Sequence, residues 1–190
     1  MSKSRLQAKW RNFFCMLDED GDEQITVEDF GLKAQRIIDS YGLEELLRVR
    51  CTQILLRWWH ICQDLLGDPK PKKVSKQQFV EILSKLYCTD KDKLEQTMRE
   101  LSMYLFDLMD ADGDGSITSD ELDKMNKCLG MKNSSLNAAI FDAWDEDQDG
   151  EISRQEYSTG MIAYLTSNDP QNDYGFVFQY EQNVIHNKRR

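Results

Sequence analysis

Histidine is almost missing from this chain: His60 and His186 are the whole supply in 190 residues. With two scattered imidazoles and no nucleophile motif, general-base or triad chemistry lacks its materials, and the expectation is a protein that is not an enzyme. Zinc lacks its ligands too. His60 and Cys62 lie two apart on one helical stretch, on different faces, and no second Cys/His pair at ligand spacing joins them. Cysteine also lacks its usual patterns: Cys15, Cys51, Cys62, Cys88 and Cys128 are odd in number, contain no C-x-x-C, and mostly fall within apolar helical patterns where a thiol acts as a small hydrophobe. That usage fits a reducing compartment, so a cytoplasmic location is expected.

Long apolar runs are absent as well. No stretch approaches the roughly 20 residues of a membrane span, Met1-Ser2-Lys3-Ser4 forms no apolar signal region, and Ser2 stands where myristoylation needs Gly. Neither a span nor a lipid anchor is expected. Positive charge is in deficit, with 24 Lys and Arg against 34 Asp and Glu and a formal charge of −10. A nucleic-acid binder would carry a basic footprint, so that partner is not expected.

The acid is concentrated in three twelve-residue segments, 18–29, 110–121 and 145–156. Together they hold 18 acidic residues and one basic residue, Arg154, for −17, while the rest of the chain carries 16 acidic and 23 basic residues, or +7. Three bound divalent ions would add +6 and leave about −4. The acidity therefore belongs to the segments and not to the chain at large.

Within them the oxygens repeat at fixed offsets. The second segment places Asp110, Asp112 and Asp114 at positions 1, 3 and 5, Gly115 at 6, Ser116 at 7, Ile117 at 8 and Glu121 at 12. The third places Asp145, Asp147, Asp149, Gly150, Glu151, Ile152 and Glu156 at the same offsets. A hard cation such as Ca²⁺ takes six to eight oxygens at about 2.3–2.6 Å, and each offset serves that need. Carboxylates at 1, 3 and 5 supply three, position 7 gives its backbone carbonyl, position 9 (Thr118, Ser153) often acts through water, and Glu at 12 reaches back with both oxygens. Gly at 6 allows a turn at positive φ. The isoleucine at 8 is not a ligand; it faces a partner loop, where a β-branched residue pairs in a short antiparallel bridge.

An acidic linker could produce such a pattern by chance, but its flanks would not be apolar. Here Phe14, Phe106 and Phe141 stand four residues before a loop, Leu17, Met109 and Trp144 one before, and Phe30, Leu122 and Tyr157 one after. That spacing puts an apolar face on each flanking helix. Three Ca²⁺ sites are the expectation.

The first segment departs from the pattern twice. Asp18, Asp20 and Asp22 fill 1, 3 and 5, Gln24 fills 7, Ile25 fills 8 and Thr26 fills 9, but position 6 is Glu23 and position 12 is Asp29. Glu23 costs about 1 kcal/mol or more if it takes the left-handed conformation. Asp29, one methylene short, reaches an ion with one oxygen and lowers the coordination number toward the six that Mg²⁺ demands. The reading is a mixed Ca²⁺/Mg²⁺ site. A fourth copy survives in outline: aligning Val74 with the isoleucines puts Gly67, Pro69 and Pro71 at 1, 3 and 5, Lys72 at 6 and Gln78 at 12. With no carboxylate at any of these positions and with Lys70, Lys72, Lys73 and Lys76 nearby, it should bind no metal and serve as the structural partner of the first loop.

Helical periodicity fills the spaces between. Helices are expected from about Ser4 to Leu17, Val27 to Asp39, Leu43 to Leu66, the Ser75 cap to Leu86, Thr89 to Met109, Ser119 to Cys128, Ser134 to Trp144 and Ser153 to Leu165. The long third helix carries Leu46, Leu47, Ile54, Leu55, Trp58, Ile61, Cys62, Leu65 and Leu66 as its apolar stripe, and Trp58-Trp59 widens it to face both halves.

These residues resemble the EF-hand superfamily, and within it the sarcoplasmic calcium-binding proteins and the related calexcitins of invertebrates. The points of similarity are metal loops in motifs one, three and four with a dead second motif, Asp at the end of the first loop, the long third helix, and the ending Leu165-Thr166-Ser167-Asn168-Asp169-Pro170 before an aromatic tail. The resemblance implies an all-α, compact globular fold of four EF-hand helix-loop-helix motifs in two packed pairs. It divides the chain into an N-terminal pair (1–88), a C-terminal pair (89–166) and a tail (167–190) that packs between the halves through Phe176, Val177, Phe178 and Tyr180.

Three functional classes follow. A soluble monomeric Ca²⁺ buffer is preferred. A sensor that opens a groove for a protein target is the second, and only eight Met are present to line such a surface, with Met16 and Met109 abutting loops as core residues. The third is a carrier of an apolar small ligand near Trp10, Trp58 and Trp59, since calcium-regulated photoproteins and luciferin-binding proteins share this architecture. Photoproteins place a His and a Trp on the last helix, and Met161 to Leu165 contains neither, so luminescent chemistry is not expected.

Overall fold

Every unit predicted from the sequence appears as a helix-loop-helix in the computed structural model, which describes residues 3–67, 69–129 and 134–169. The described residues form eight helices and two small sheets: α1 (Lys3–Leu17), β1 (Gln24–Ile25), α2 (Val27–Tyr41), α3 (Glu45–Leu66), β2 (Val74–Ser75), α4 (Lys76–Thr89), α5 (Lys91–Met109), β3 (Ser116–Ile117), α6 (Ser119–Cys128), α7 (Ser134–Trp144), β4 (Ile152–Ser153) and α8 (Arg154–Thr166). The fold is all-α and compact, with four EF-hand motifs in two packed pairs.

The exit helices start where local chemistry tells them to. Ser75, Thr118 and Ser153 each accept from the amide three residues on, while the residue at that third position, Gln78, Glu121 or Glu156, bonds back to the cap. This capping box satisfies two orphan amides at once. In the two acidic loops among these, the returning residue, Glu121 or Glu156, is also position 12 of the loop, so helix initiation and ligand placement use one side chain. Gly42 ends α2 at φ 60°, where its amide bonds to the Ile38 carbonyl.

Position 8 sets the pairing. β1 pairs antiparallel with β2 through Ile25 opposite Val74, and β3 with β4 through Ile117 opposite Ile152. The segment that lacks ligand carboxylates is thus the strand partner of the first loop.

All eight helices contribute to one buried core, to which every flanking apolar residue named above belongs. Aromatic rings carry it through the middle: Phe13 lies against both Trp58 and Phe79, Trp59 against Phe30, and Tyr157 against both Phe106 and Trp144. Trp58 donates its indole N–H to the carbonyl of Leu101 at 2.9 Å, joining α3 to α5. The stripe predicted for α3 needs a correction at its start, since Leu46 is 80% exposed and Leu47 46%. The first turns of α3 project beyond the neighbours that bury Trp58 and Trp59, so helical spacing is kept there without a surface to pack on. Phe176, Val177, Phe178 and Tyr180 lie outside the described residues. None of the helices among the described residues is long and apolar enough to cross a membrane.

Candidate metal centres

Two oxygens bound to one Ca²⁺ at about 2.4 Å can be no more than about 5 Å apart. Three groups of carboxylates meet that condition, each with its oxygens within 4.8 Å of one another: Asp18, Asp20 and Asp22; Asp110, Asp112 and Glu121; and Asp145, Asp147 and Glu156. Hard oxygen donors gathered so closely repel one another, and a divalent cation is the partner that relieves this. The donor sets fit Ca²⁺ at all three loops.

Backbone amides hold the carboxylates in place. Position 1 accepts from the amides of positions 4 and 6 in the first two metal loops: Gly21 and Glu23 donate to Asp18 at 2.9 and 3.1 Å, and Gly113 and Gly115 to Asp110 at 2.8 and 3.2 Å. In the third, Asp145 accepts from Asp149 and Gly150 at 3.1 and 3.0 Å. Position 3 accepts from the amide of position 5, and position 5 from that of position 7: Gln24 donates to Asp22 at 2.7 Å, Ser116 to Asp114 at 2.9 Å and Glu151 to Asp149 at 2.9 Å. Gln24 and Ser116 open their strands and Glu151 stands just before β4, where the task of position 7 is to offer its backbone carbonyl.

Position 12 closes each loop in one manner. Glu121 accepts from Ala111 and Thr118 amides, both at 2.9 Å, and Glu156 from Glu146 and Ser153 at 2.9 and 2.7 Å. Asp29 accepts from Glu19 and Thr26 at 2.8 and 2.7 Å, so the shorter side chain still reaches the same two amides. It does not join the close oxygen group, which in the first loop comprises positions 1, 3 and 5, whereas Glu121 and Glu156 do join theirs and Asp114 and Asp149 do not. The fourth segment keeps the closing bond without charge: Gln78 accepts from the Ser75 amide at 3.0 Å.

Positive φ marks positions 4 and 6. Glu23 at position 6 takes φ 68°, the left-handed conformation expected of it, and its carboxylate meets Lys76 at 3.2 Å. Position 4 was not singled out from the sequence, although Gly21 and Gly113 recur there; Gln148 in the third loop adopts φ 60° at that place.

A second feature escaped the sequence reading. Lys33, almost fully buried on α2, donates to the Met16 carbonyl and to Glu19, both at 2.7 Å, and Arg36 pairs with Glu19 at 2.6 Å. These contacts tie the exit helix of the first loop to its entry helix. The visible signal was a lysine at i+3 from Phe30 and i−4 from Ile37, on the apolar stripe of an amphipathic helix.

Charge environments separate the loops. Burial raises the pKa of Asp18 above its ordinary value, aided by Asp29 and Asp22 and opposed by the amides of Glu23 and Gly21. Burial also works to raise Glu156, but hydrogen bonds from Ser153, Glu146 and Asp147 outweigh it, and the net shift is downward.

Residues 99–162 match the family profile described as an EF-hand domain pair. Comparison with curated protein sequences finds no match. Among solved structures, the chain is similar to the coelenterazine-binding protein of Renilla muelleri in its calcium-loaded apo form, at 20% identity and TM-score 0.75 over 93% of this chain and 96% of that one. It is similar to the calcium-regulated photoprotein mitrocomin of Mitrocoma cellularia, at 22% identity and TM-score 0.70 over 92% and 91%. A Streptomyces coelicolor calcium-binding protein shares the fold at 21% identity and TM-score 0.66, over 87% and 98%. Residues 99–162 thus form a recognised EF-hand domain pair, and the chain as a whole has the four-motif EF-hand fold with three candidate calcium loops.

Proposed function

We propose that the protein is a monomeric, cytoplasmic, non-enzymatic calcium buffer of the sarcoplasmic calcium-binding type. Asp18, Asp20, Asp22 and Asp29 would hold the first ion, Asp110, Asp112, Asp114 and Glu121 the second, and Asp145, Asp147, Asp149 and Glu156 the third. The backbone carbonyls of Gln24, Ser116 and Glu151 complete the sets. The shorter Asp29 makes the first loop the one that also accepts Mg²⁺.

The observation that carries the buffer reading is the single core shared by α1 to α8. A sensor opens the apolar faces of its helix pairs to a target. Here those faces meet each other, with Trp58 of α3 bonded to Leu101 of α5. Opening would expose several large rings at roughly 1.5–3 kcal/mol each. Scattering profiles of the Mg²⁺-loaded and Ca²⁺-loaded protein, with and without a basic amphipathic helical peptide, test this. The same radius of gyration in both and no peptide uptake support a buffer; expansion together with peptide binding would make it a sensor.

The ligand-carrier reading takes its support from the fold shared with a coelenterazine-binding protein. In this chain Trp10, Trp58 and Trp59 are buried members of the core, which favours the buffer.

A further inference from the structure

Between α2, the start of α3 and the back of the second metal loop lies an open cleft of about 270 Å³. Its walls are apolar, with Ile37, Leu43, Leu47, Ile54 and Leu108 among them, and Tyr41 and Cys51 stand beside these. Its far side is the metal loop itself, through Asp110, Ala111, Asp112 and Gly113. The rim of α3 carries three of the five large exposed hydrophobics among the described residues, Leu46, Leu47 and Val49, and an apolar surface so grouped marks a place of contact.

Charge decides what fits. Four charged side chains line the cleft: Arg50, Asp107, Asp110 and Asp112. Asp107 is held by Arg154 at 2.6 Å. Asp110 and Asp112 belong to the oxygen group suited to the second ion. Arg50 makes no ion pair among the described residues and is left as the uncompensated cation. The Tyr41 hydroxyl is buried without a hydrogen-bond partner among the described residues, and its ring lies under the Lys124 ammonium, 4.0 Å from centroid to nitrogen. Before metal binds, the loop carboxylates oppose an anion in the cleft; a divalent cation held by Asp110 and Asp112 offsets much of that opposition beside Arg50.

We propose that this cleft binds a small apolar anion, a molecule with a medium-length hydrocarbon or single-ring body and one carboxylate. Its body lies on Leu43, Leu47 and Leu108, its head group meets Arg50, and its binding is strengthened by Ca²⁺ in the second loop. The volume lies just below the range of drug-sized pockets, which sets the small size. The inference rests on the calcium reading of the second loop and adds a ligand class to it. Linkage requires the converse: the anion must tighten Ca²⁺ at that loop by the same factor.

Decanoate titrated into the full chain, followed by calorimetry and amide NMR, tests the proposal. The Ca²⁺-saturated protein should bind one decanoate, shifting the resonances of Leu47, Leu108 and Ala111. Affinity should fall on the order of tenfold, within the usual span of coupling between sites, in Glu121→Gln, whose other two loops remain loaded. Arg50→Gln and Leu47→Asp change exposed side chains and should weaken decanoate without altering Ca²⁺ stoichiometry. Equal binding by the Glu121→Gln and unaltered proteins, or by Arg50→Gln, overturns the proposal. A chain that takes up three Ca²⁺ and ignores decanoate refutes the cleft alone; one that takes no Ca²⁺ at the second loop overturns both readings.

Discussion

The indole of Trp10 donates its N–H to the carbonyl oxygen of Leu165 at 2.9 Å, so the first helix is fastened to the last across 155 residues of sequence. One residue earlier, Lys9 donates to the Ser167 carbonyl at 2.9 Å and lies over the Tyr164 ring. Together with the Trp58–Leu101 bond, these contacts make the two halves of the chain support one another.

Replacing Trp10 by Phe keeps an aromatic body but leaves the Leu165 carbonyl unpaired, which costs about 1–3 kcal/mol. Urea unfolding monitored by tryptophan fluorescence and by far-UV circular dichroism should give coincident single transitions, displaced to lower denaturant in the variant. Two separate transitions would mean that the halves unfold independently.

Glu23 holds a left-handed backbone at φ 68° where its two sister loops have glycine. Glu23→Gly removes a strain of about 1–2 kcal/mol, partly offset by the greater freedom of the unfolded chain. The lost Lys76 contact is exposed and contributes little. Thermal melting of the metal-free protein should therefore rise, by about 0.5–1 kcal/mol of stability; a fall would show that Lys76 matters more than the backbone.

A Cβ atom on Gly160 would stand 2.7 Å from the indole of Trp144. Gly160→Ala must displace that buried ring, at about 1–3 kcal/mol. Trp144 immediately precedes Asp145, so the third loop should lose Ca²⁺ affinity while the first keeps its own. Calorimetry that finds the third site unchanged would show that the ring moves without disturbing the loop.

Much of this was legible because calcium ligation imposes a spacing that packing does not blur. Ile25, Ile117 and Ile152 announced the strand register, and Ser75 the start of its helix, since each is fixed by bonds within a few residues. What could not be read came from contacts between distant segments. Leu46 and Leu47 continue a helical stripe, yet no neighbour covers them. Lys33 occupies a stripe position as a buried ion-pair member whose partner Glu19 is chosen by how α1 meets α2. Gln148 takes positive φ because the loop closes around Asp145, whatever side chain stands there.

Acid should act on the first and third loops in opposite senses. The raised pKa of Asp18 lets a proton compete for it at higher pH than for an ordinary aspartate, whereas the lowered pKa of Glu156 makes it resist protonation to lower pH than an ordinary glutamate. In the metal-free protein the signs are opposite. Asp18 adds stability at low pH that is lost as pH rises through its raised folded pKa; Glu156 adds stability above its unfolded pKa that is lost as pH falls through its folded one. Carboxylate NMR titrations of the metal-free protein should place Asp18 above, and Glu156 below, the same residue types in unstructured peptides. A shift of either in the other direction would contradict this.

In the proposed buffer three loops, and not the fourth segment, hold calcium. Calorimetric titration of the metal-free protein beside Glu121→Gln and Glu156→Gln tests it directly, because each substitution removes one charged closing ligand. Three ions for the unaltered chain and two for each variant are predicted. Fewer than three in the unaltered chain, or three retained in either variant, would contradict the assignment of these loops.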